Sequence, residues 1–222
     1  MAIPFSSTCV VLCGKTGSGK SLVLQQLELS GYPSINLEKI ASHRGSVFGN
    51  LLLPSQPSQA EFEKKLQNAY SRYTGSEYTF IEQKAGSLGK RKIPEWLYSK
   101  MKEGILIELD ADKKIRINNI LTQYKPAGRN NLINALYKLS NRLPESELTG
   151  LERYLNQDNY EMFIEKMIDY YDTTVNYQLP KKAIATLKIK SNDVAETVQQ
   201  LLQSLIQHGI NISVYPILQP GI

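Results

Sequence analysis

One stretch near the N-terminus limits the folds open to this chain more than any other. Residues 14–21 read Gly-Lys-Thr-Gly-Ser-Gly-Lys-Ser, which matches the phosphate-binding pattern G-x-x-x-x-G-K-[ST] at every fixed position. In such a loop the glycines let backbone N–H groups turn inward around a phosphate, and the following helix adds its positive dipole. The predicted phosphate-binding residues are Gly14, Lys15, Thr16, Gly17, Ser18, Gly19, Lys20 and Ser21.

The residues on both sides of this loop have the context that the pattern requires. Thr8–Cys13 is a short apolar run typical of a buried parallel strand, and residues 21–29 read as a helix that ends at Gly31. Strand, loop and helix in this order predict an α/β fold, a parallel sheet flanked by helices as in P-loop NTPases. Lys20 is then expected to reach the outer phosphates, and the Ser21 hydroxyl to ligate Mg²⁺. The alternative is a glycine-rich turn that matches by chance.

Length and composition favour a single domain of 222 residues with a helical insertion over about residues 129–177. Apolar residues make up 41% and charged residues 21% of the chain, which argues against disorder. The net charge of +5 permits a polyanionic partner without identifying it. Because no basic, apolar leader and no stretch near the roughly 20 apolar residues of a membrane span is found, we expect a cytoplasmic protein without membrane contact.

Two candidate site residues follow the second predicted strand, residues 33–38. His43 and Arg44 lie in residues 41–50, a position that commonly covers the ligand pocket in phosphate-binding α/β folds. Arg44 could bind a phosphate through its planar guanidinium group, and His43 could act as an acid, a base or a hydrogen-bond donor. A surface turn with a capping His43 and a solvated Arg44 fits the sequence equally well.

A third predicted strand, Tyr78–Glu82, ends in a carboxylate. Folds of this class place an acidic residue at a strand tip to contact Mg²⁺ or a water, so Glu82 is a candidate catalytic residue and a metal ligand beside Ser21. The alternative is a glutamate that simply faces water at the end of a strand.

The basic stretch of residues 84–92 contains two glycines. We interpret it as a flexible segment suited to phosphate contacts, in which Lys90, Arg91 and Lys92 are candidates for binding a nucleic acid. A solvated loop would have the same composition. A helix is predicted to begin at Pro94, with Trp96 as a core anchor.

The next part of the chain combines a strand with a long helical region. A strand is predicted over residues 104–110, followed by a helix over 112–124 that carries Arg116. The helical pattern of the insertion is broken at Pro144 and Gly150.

The last part of the chain returns to a strand and a helix. A strand is predicted over residues 183–189, and Asp193 with Glu196 forms a variant of the capping box at the start of a helix that ends at Gly209.

Taken together, these stretches resemble the phosphate-loop domain of tRNA 2-selenouridine synthases. The resemblance covers the chain from about residue 10 to residue 178. Its most specific part is the run His-Arg-Gly-Ser-x-Phe-Gly followed by Gln-Pro-Ser-Gln. The matching residues are the phosphate loop, Leu37-Glu38, Ser42-His43-Arg44-Gly45-Ser46-Val47-Phe48-Gly49, Gln56-Pro57-Ser58-Gln59, Phe62-Glu63, Ile81-Glu82, Gly89, Ile93-Pro94, Leu97-Tyr98, Met101, Tyr170-Tyr171-Asp172 and Tyr177.

The resemblance implies a transferase that acts on 2-thiouridine at the wobble position of certain tRNAs. In that family the sulfur is first alkylated with a geranyl group from geranyl diphosphate, and the base is then converted to 2-selenouridine with selenophosphate. On this basis Lys20, Ser21 and the loop amides would bind the diphosphate leaving group, and Arg44 would assist. Residues 90–92 would meet tRNA phosphates.

The chain departs from the family pattern in two ways. Members usually carry an N-terminal rhodanese-like domain with a reactive cysteine, whereas here the phosphate loop begins at Gly14, so a separate rhodanese-domain protein is expected as a partner. Cys9 and Cys13 lie four apart on a predicted buried strand, where a reduced pair facing one side is expected and not a reactive thiol. The family's stretch after Glu82 is typically acidic, whereas Gln83-Lys84-Ala85-Gly86-Ser87 follows here.

Two other functions are consistent with the same residues. The loop, Glu82 and Arg116 indicate an ATP-dependent kinase that acts on a small molecule or a nucleotide. The missing partner domain indicates a non-catalytic module that binds a nucleotide or tRNA and keeps the loop for structure.

Overall fold

The structure is a computed structural model that describes residues 7–84, 86–174 and 182–215. Its strands are β1 (Thr8–Cys13), β2 (Ser34–Ile35), β3 (Tyr78–Glu82), β4 (Ser87–Leu88), β5 (Arg91–Lys92), β6 (Ile105–Ala111) and β7 (Ala185–Ile189). Its helices are α1 (Lys20–Leu29), α2 (Leu37–Ala41), α3 (Gln59–Ser71), α4 (Glu95–Glu103), α5 (Lys113–Tyr124), α6 (Arg129–Leu136), α7 (Glu145–Asn156), α8 (Tyr160–Thr174) and α9 (Val194–Gln207). Within these ranges no helix is long and apolar enough to cross a membrane.

The centre of the fold is a five-stranded parallel sheet with the strand order β2-β3-β1-β6-β7. In the middle strand, Val10 lies opposite Phe80 of β3 and Ile105 of β6. Neighbouring strands and helices cover β1 on every side, which explains its uninterrupted apolar sequence. The predicted fold class is confirmed: a parallel sheet flanked by helices, with the phosphate loop at the carboxyl end of its central strand.

The side chains of β1 alternate between two apolar layers. Val10 and Leu12 pack on the side covered by α1 and α9. Cys9, Val11 and Cys13 face the opposite side, which α3 and α4 cover. Both cysteines are buried free thiols, so the prediction of a reduced pair facing one side is confirmed.

A third apolar layer belongs to the predicted helical insertion, which consists of α6, α7 and α8. The predicted break at Gly150 is wrong, because α7 continues through this residue. A glycine costs a helix only about 1 kcal/mol, and the buried side chains of Leu148 and Leu151 on either side outweigh that cost.

The chain of the helical insertion changes direction before and after α7. Pro144 precedes α7 at its N-terminus, as predicted. The next turn lies between α7 and α8, where Asp158 adopts a φ of 55°. The predicted end of the insertion and Tyr177 lie outside the described residues.

The second predicted strand is much shorter than residues 33–38. After Ile35 the side chain of Asn36 accepts a hydrogen bond from the backbone N–H of Lys39 at 2.9 Å and begins α2. Asparagine is among the best residues for starting a helix in this way, so the extended conformation ends early. As a result Glu38 lies in the first turn of a helix at the carboxyl edge of the sheet.

Two further expectations are corrected. The basic stretch after Lys84 contains the antiparallel hairpin β4–β5, and is therefore more ordered than the flexible segment expected. At the start of α9, Asp193 caps the backbone as predicted, but the Glu196 carboxylate does not complete a capping box. It accepts a hydrogen bond from Ser191 Oγ at 2.6 Å instead, because that hydroxyl is close in the preceding turn.

Candidate functional site

A cavity of about 730 Å³ opens at the carboxyl edge of the sheet, between the phosphate loop and the helical insertion. Its volume is typical of small-molecule sites, which span roughly 300–1,000 Å³. One end is polar and includes the loop, Glu38, Arg44, Glu82 and Lys84. The other end is an apolar wall, formed by Phe48, Leu132, Phe163, Ile164, Met167 and Ile168.

The phosphate loop requires glycine at two positions for steric reasons. Gly14 has a φ of +136°, and a side chain there would place its Cβ 2.4 Å from the Leu109 carbonyl oxygen. Gly17 has a φ of +80°, and its Cβ would lie 2.9 Å from the Arg116 carbonyl oxygen. The backbone of β6 and α5 thus approaches the loop so closely that a side chain would have to displace it.

Within the loop, Lys20 lies against the backbone. Its Nζ donates to the carbonyl oxygens of Gly14 at 2.7 Å and Lys15 at 3.0 Å, and to Ser18 Oγ at 3.3 Å. Burial, with the nearby charge of Lys84, lowers the pKa of Lys20 to about 8. The cavity is lined by Gly14, Thr16, Gly17, Gly19, Lys20 and Ser21, while Ser18 is buried.

Beside Lys20 lies a cluster of polar and charged side chains, here called the carboxylate cluster, that consists of Ser21, Glu38, Glu82 and Lys84. Ser21 Oγ donates to Glu38 Oε2 at 2.9 Å and lies 3.4 Å from Glu82 Oε2. Lys84 Nζ contacts Glu38 Oε1 at 2.7 Å and Glu82 Oε2 at 3.4 Å. The side chain of Glu82 is completely buried, so the alternative of a water-exposed strand end is wrong.

Burial has the largest single influence on the pKa values of Glu82 and Lys84 in this cluster. Burial raises the pKa of Glu82, and the positive charge of Lys84 opposes that rise. For Lys84, burial alone would lower the pKa, but the charges of Glu82 and Glu38 outweigh it and raise the pKa above the usual range. Lys84 is therefore protonated at neutral pH, between two carboxylates.

The outside of the phosphate loop is held by α5 and α8. Arg116 Nε donates to the Thr16 carbonyl oxygen at 2.7 Å, while its two terminal nitrogens bind the Asp172 carboxylate at 2.8 and 2.7 Å. Lys15 Nζ lies 3.5 Å from the same carboxylate, and Asn119 Nδ2 donates to the Gly17 carbonyl oxygen at 2.9 Å. Arg116 thus positions the loop from behind and does not reach into the cavity.

The segment that carries His43 and Arg44 lies beside the cavity, and its two candidates differ. Arg44 lines the cavity, donates to the Leu51 carbonyl oxygen at 2.7 Å and lies 5.3 Å from the Tyr124 ring centroid. His43 accepts a hydrogen bond at Nδ1 from the Gly45 N–H at 3.0 Å, and burial lowers its pKa. In the described part of the chain, the His43 ring is outside the cavity wall.

The glutamines of the Gln-Pro-Ser-Gln run hold the β4–β5 hairpin by its backbone. Gln56 Nε2 donates to the carbonyl oxygens of Ala41 at 3.0 Å and Leu88 at 2.9 Å, and its Oε1 accepts from the Lys90 N–H at 2.9 Å. Gln59 exchanges two 2.9 Å hydrogen bonds with the backbone of Lys92. One side of the hairpin lines the cavity through Leu88, and the other exposes Lys90 and Lys92, with Arg91 half-buried.

The structure places most of the predicted residues at one site. Lys20, Ser21, Arg44 and Glu82 share the cavity, while His43 and the basic hairpin are adjacent to it. Sequence reasoning did not identify the roles of three residues that the structure adds, namely Glu38, Lys84 and Asp172. A signal for two of them was present, since Glu38 and Asp172 belong to runs that carried the family resemblance.

Comparison with known proteins indicates the family of this chain. The sequence profile of the tRNA 2-selenouridine synthase AAA domain matches residues 7–207. Among solved structures, a shikimate kinase from Acinetobacter baumannii in complex with shikimate covers 91% of this chain and 95% of its own, at 13% identity and a TM-score of 0.41.

Two curated relatives illustrate the similarity in sequence. The tRNA 2-selenouridine synthase of Marinobacter nauticus is 30% identical over 203 residues, which are 78% of this chain and 54% of that protein. The enzyme of the same name from Nitrosomonas eutropha is 31% identical over 163 residues, 70% of this chain and 40% of that protein. The chain spans about half the length of the curated relatives it matches. Because the domain profile covers nearly all of the described residues, the chain belongs to the tRNA 2-selenouridine synthase family, whose AAA domain it matches.

Proposed function

We propose that this protein transfers a geranyl group from geranyl diphosphate to the sulfur of 2-thiouridine at the wobble position of tRNA. The observation that carries the proposal is one cavity with two unlike ends, a phosphate loop and an apolar wall. A prenyl diphosphate is divided in the same way into a charged head and a hydrocarbon tail. Family membership supports the modification of a wobble uridine in tRNA.

In the proposed transfer the main task is to stabilise a leaving group. The allylic C–O bond breaks, the diphosphate leaves with the electron pair, and the sulfur forms the new C–S bond. Negative charge grows on the departing diphosphate, and the loop amides, Lys20 and Arg44 stabilise it. Arg44 contacts a carbonyl oxygen and an aromatic ring, neither of which neutralises its charge, so its guanidinium is available to a phosphate.

The same reaction removes a proton from the base. When the thiocarbonyl sulfur is alkylated, the uracil ring loses its N3 proton. Glu82 is the proposed acceptor, because it lines the cavity and burial raises its pKa towards neutral pH. His43 was also a candidate, but burial lowers its pKa away from neutral pH and its ring lies outside the cavity wall, so no proton transfer is assigned to it.

The proposed tRNA contact is the exposed face of the β4–β5 hairpin. Lys90 and Lys92 lie on the outer side of a hairpin whose Leu88 lines the cavity, so phosphates bound outside would lie near the reacting base inside.

The selenium-transfer step needs a reactive thiol. Since both cysteines of this chain are buried, we assign that role to a rhodanese-domain protein.

Mg²⁺ was predicted at Ser21 and Glu82, and the structure allows a test of whether these residues fit it. The oxygen atoms of Ser21, Glu38 and Glu82 are the donor type that Mg²⁺ prefers. The ammonium group of Lys84, however, already contacts both carboxylates. The carboxylate cluster therefore does not fit a divalent cation while Lys84 is in place, and no step of the proposed transfer is assigned to Mg²⁺.

A kinase is the second candidate function. The observation that favours it is the close approach of Ser21 Oγ to the Glu82 carboxylate, 3.4 Å, beside Lys20 of the phosphate loop. ATP would then be the phosphate ligand, and Mg²⁺ would have to displace Lys84.

The deciding experiment compares the binding of geranyl diphosphate with that of ATP and Mg²⁺ by calorimetry, for the wild type and Lys20→Ala. We expect geranyl diphosphate to bind and Lys20→Ala to weaken it by about tenfold to a hundredfold, since a hydrogen bond to a charged group contributes roughly 1.5–3 kcal/mol. Lys64→Ala, an exposed lysine on α3, is the control. Binding of ATP without binding of geranyl diphosphate would favour the kinase.

A further inference from the structure

The carboxylate cluster has the geometry of a cation site, and a side chain of the same chain occupies it. Glu38 from α2, Glu82 from the end of β3 and Ser21 from the start of α1 converge on one point beside the phosphate loop. Lys84 Nζ lies between the two carboxylates, 2.7 Å from Glu38 Oε1 and 3.4 Å from Glu82 Oε2. Its side chain is only 18% exposed, so water screens this contact weakly.

The charges explain why a cation is needed at this point. Glu82 is fully buried, and its Oε1 has no hydrogen-bond partner among the described residues. A buried carboxylate without a counter-charge is strongly unfavourable, and two such groups repel each other as well. With Lys84 and Lys20 counted against Glu38 and Glu82, the charges of the four side chains cancel. A divalent cation at the same carboxylates would lie against the ammonium group and would be repelled by it.

We propose that Lys84 is a resident cation that replaces a divalent ion at this site, so that the loop binds a diphosphate without metal, and that a divalent-cation site appears only when Lys84 is removed. The inference deepens the proposed function, since it concerns the same loop and rests on that loop binding a diphosphate. Lys84 also lines the cavity, as Lys20 does, so its ammonium group is expected to contact the bound diphosphate as well.

The first test is metal binding to the ligand-free protein. Mn²⁺ is titrated into the wild type, Lys84→Met and the double variant Lys84→Met/Glu38→Gln, and binding is followed by calorimetry and by the loss of the free Mn²⁺ signal in electron paramagnetic resonance. We expect Lys84→Met to bind one Mn²⁺ at least about tenfold more tightly than the wild type, and the double variant to lose that gain. An equal affinity of the wild type and Lys84→Met for Mn²⁺ would overturn the proposal.

The second test uses inorganic pyrophosphate in the presence of EDTA. The wild type is expected to bind it without metal, and Lys84→Met to bind it about tenfold or more weakly under the same conditions, because a charged donor is lost. Lys84→Arg keeps the positive charge and is expected to retain metal-free binding, whereas Lys64→Met on α3 is the matched lysine control. A wild type that binds pyrophosphate only after Mg²⁺ is added would contradict the proposal without the need for any variant.

These results can be separated from a failure of the proposed function. A protein that binds pyrophosphate in EDTA but not geranyl diphosphate would contradict prenyl transfer and support the role of Lys84. If Lys84→Met does not fold, as its thermal unfolding would show, the wild-type measurement in EDTA still tests whether the loop binds pyrophosphate without metal.

Discussion

At the scale of single residues, Lys20 links the phosphate loop to the pH of the solution. With the pKa of its ammonium group lowered to about 8, Lys20 is protonated at pH 7 and loses its charge as the pH rises above 8 in the free protein. A bound diphosphate favours the protonated form. Above pH 8, binding of a diphosphate is therefore coupled to the uptake of a proton by Lys20.

We predict that the dissociation constant of pyrophosphate rises with pH above 8 by up to about tenfold per pH unit, since binding is then coupled to the uptake of one proton. Calorimetry between pH 7 and 9.5 measures this slope. Arginine keeps its charge throughout this range, so Lys20→Arg provides the control that corrects for titration of pyrophosphate itself. Identical slopes in the wild type and Lys20→Arg would show that Lys20 does not titrate.

The sequence was sufficient to predict residues that belong to a local pattern. Lys20 and Ser21 follow from the loop motif, and Glu82 follows from its place at a strand end. The bond between Glu38 and Lys84 joins positions 46 apart in the chain, and no short pattern describes such a pair. Predicting this contact would have required the strand order, which brings the end of β3 next to the start of α2.

At the scale of elements, the two glutamines of the Gln-Pro-Ser-Gln run form side-chain hydrogen bonds with the backbone of the β4–β5 hairpin, as a neighbouring strand would do with its backbone. Composition predicted a flexible segment there, because a hairpin so short has a single apolar side chain to bury, Leu88, and would not be stable alone. The hydrogen bonds that order it come from Gln56, before α3, and from Gln59, the first residue of α3, more than thirty positions away. Side chains that bind backbone groups in this way leave no periodic signal in the sequence.

We predict that Gln56→Ala lowers the free energy of unfolding by roughly 1–3 kcal/mol, since it leaves the buried Leu88 carbonyl oxygen and its neighbours without their partner. The same change should weaken tRNA binding by releasing Lys90 and Lys92 from a fixed position. Urea unfolding and a filter-binding assay measure the two effects. Gln67→Ala on the exposed face of α3 is the control, and unchanged tRNA binding in a folded Gln56→Ala would exclude the hairpin from RNA recognition.

At the scale of the whole molecule, the charged end of the cavity lies at the carboxyl edge of the sheet, and the insertion supplies the apolar wall except for Phe48. The sequence predicted both parts, since the motif located the sheet edge and the helical pattern located the insertion. It did not predict that they face one another. Arg116 and Asp172 join α5 to α8 behind the loop, and apolar side chains of α5 pack against the insertion as well.

We predict that Met167→Ala weakens geranyl diphosphate binding by about tenfold and leaves pyrophosphate binding unchanged. The substitution removes apolar contacts from the wall, and each lost methylene contact costs about 0.8 kcal/mol. Met101→Ala is the control, because Met101 is equally buried but belongs to the apolar layer under α4. Equal losses for the two ligands would show that the tail does not occupy the apolar end.

The anchoring of α8 at the phosphate loop also fixes how far the apolar wall extends from that loop. The helix contributes Tyr160, Phe163, Ile164, Met167, Ile168 and Tyr171 to the cavity, a stripe along one side of a continuous helix. The next residue, Asp172, is fixed at the phosphate loop by Arg116. Since a helix rises about 1.5 Å per residue, this stripe extends roughly 17 Å from the loop. Under the proposed function the hydrocarbon tail lies along this stripe, so adding or deleting one helical turn of α8 is expected to change the length of the longest tail that binds by about 5 Å.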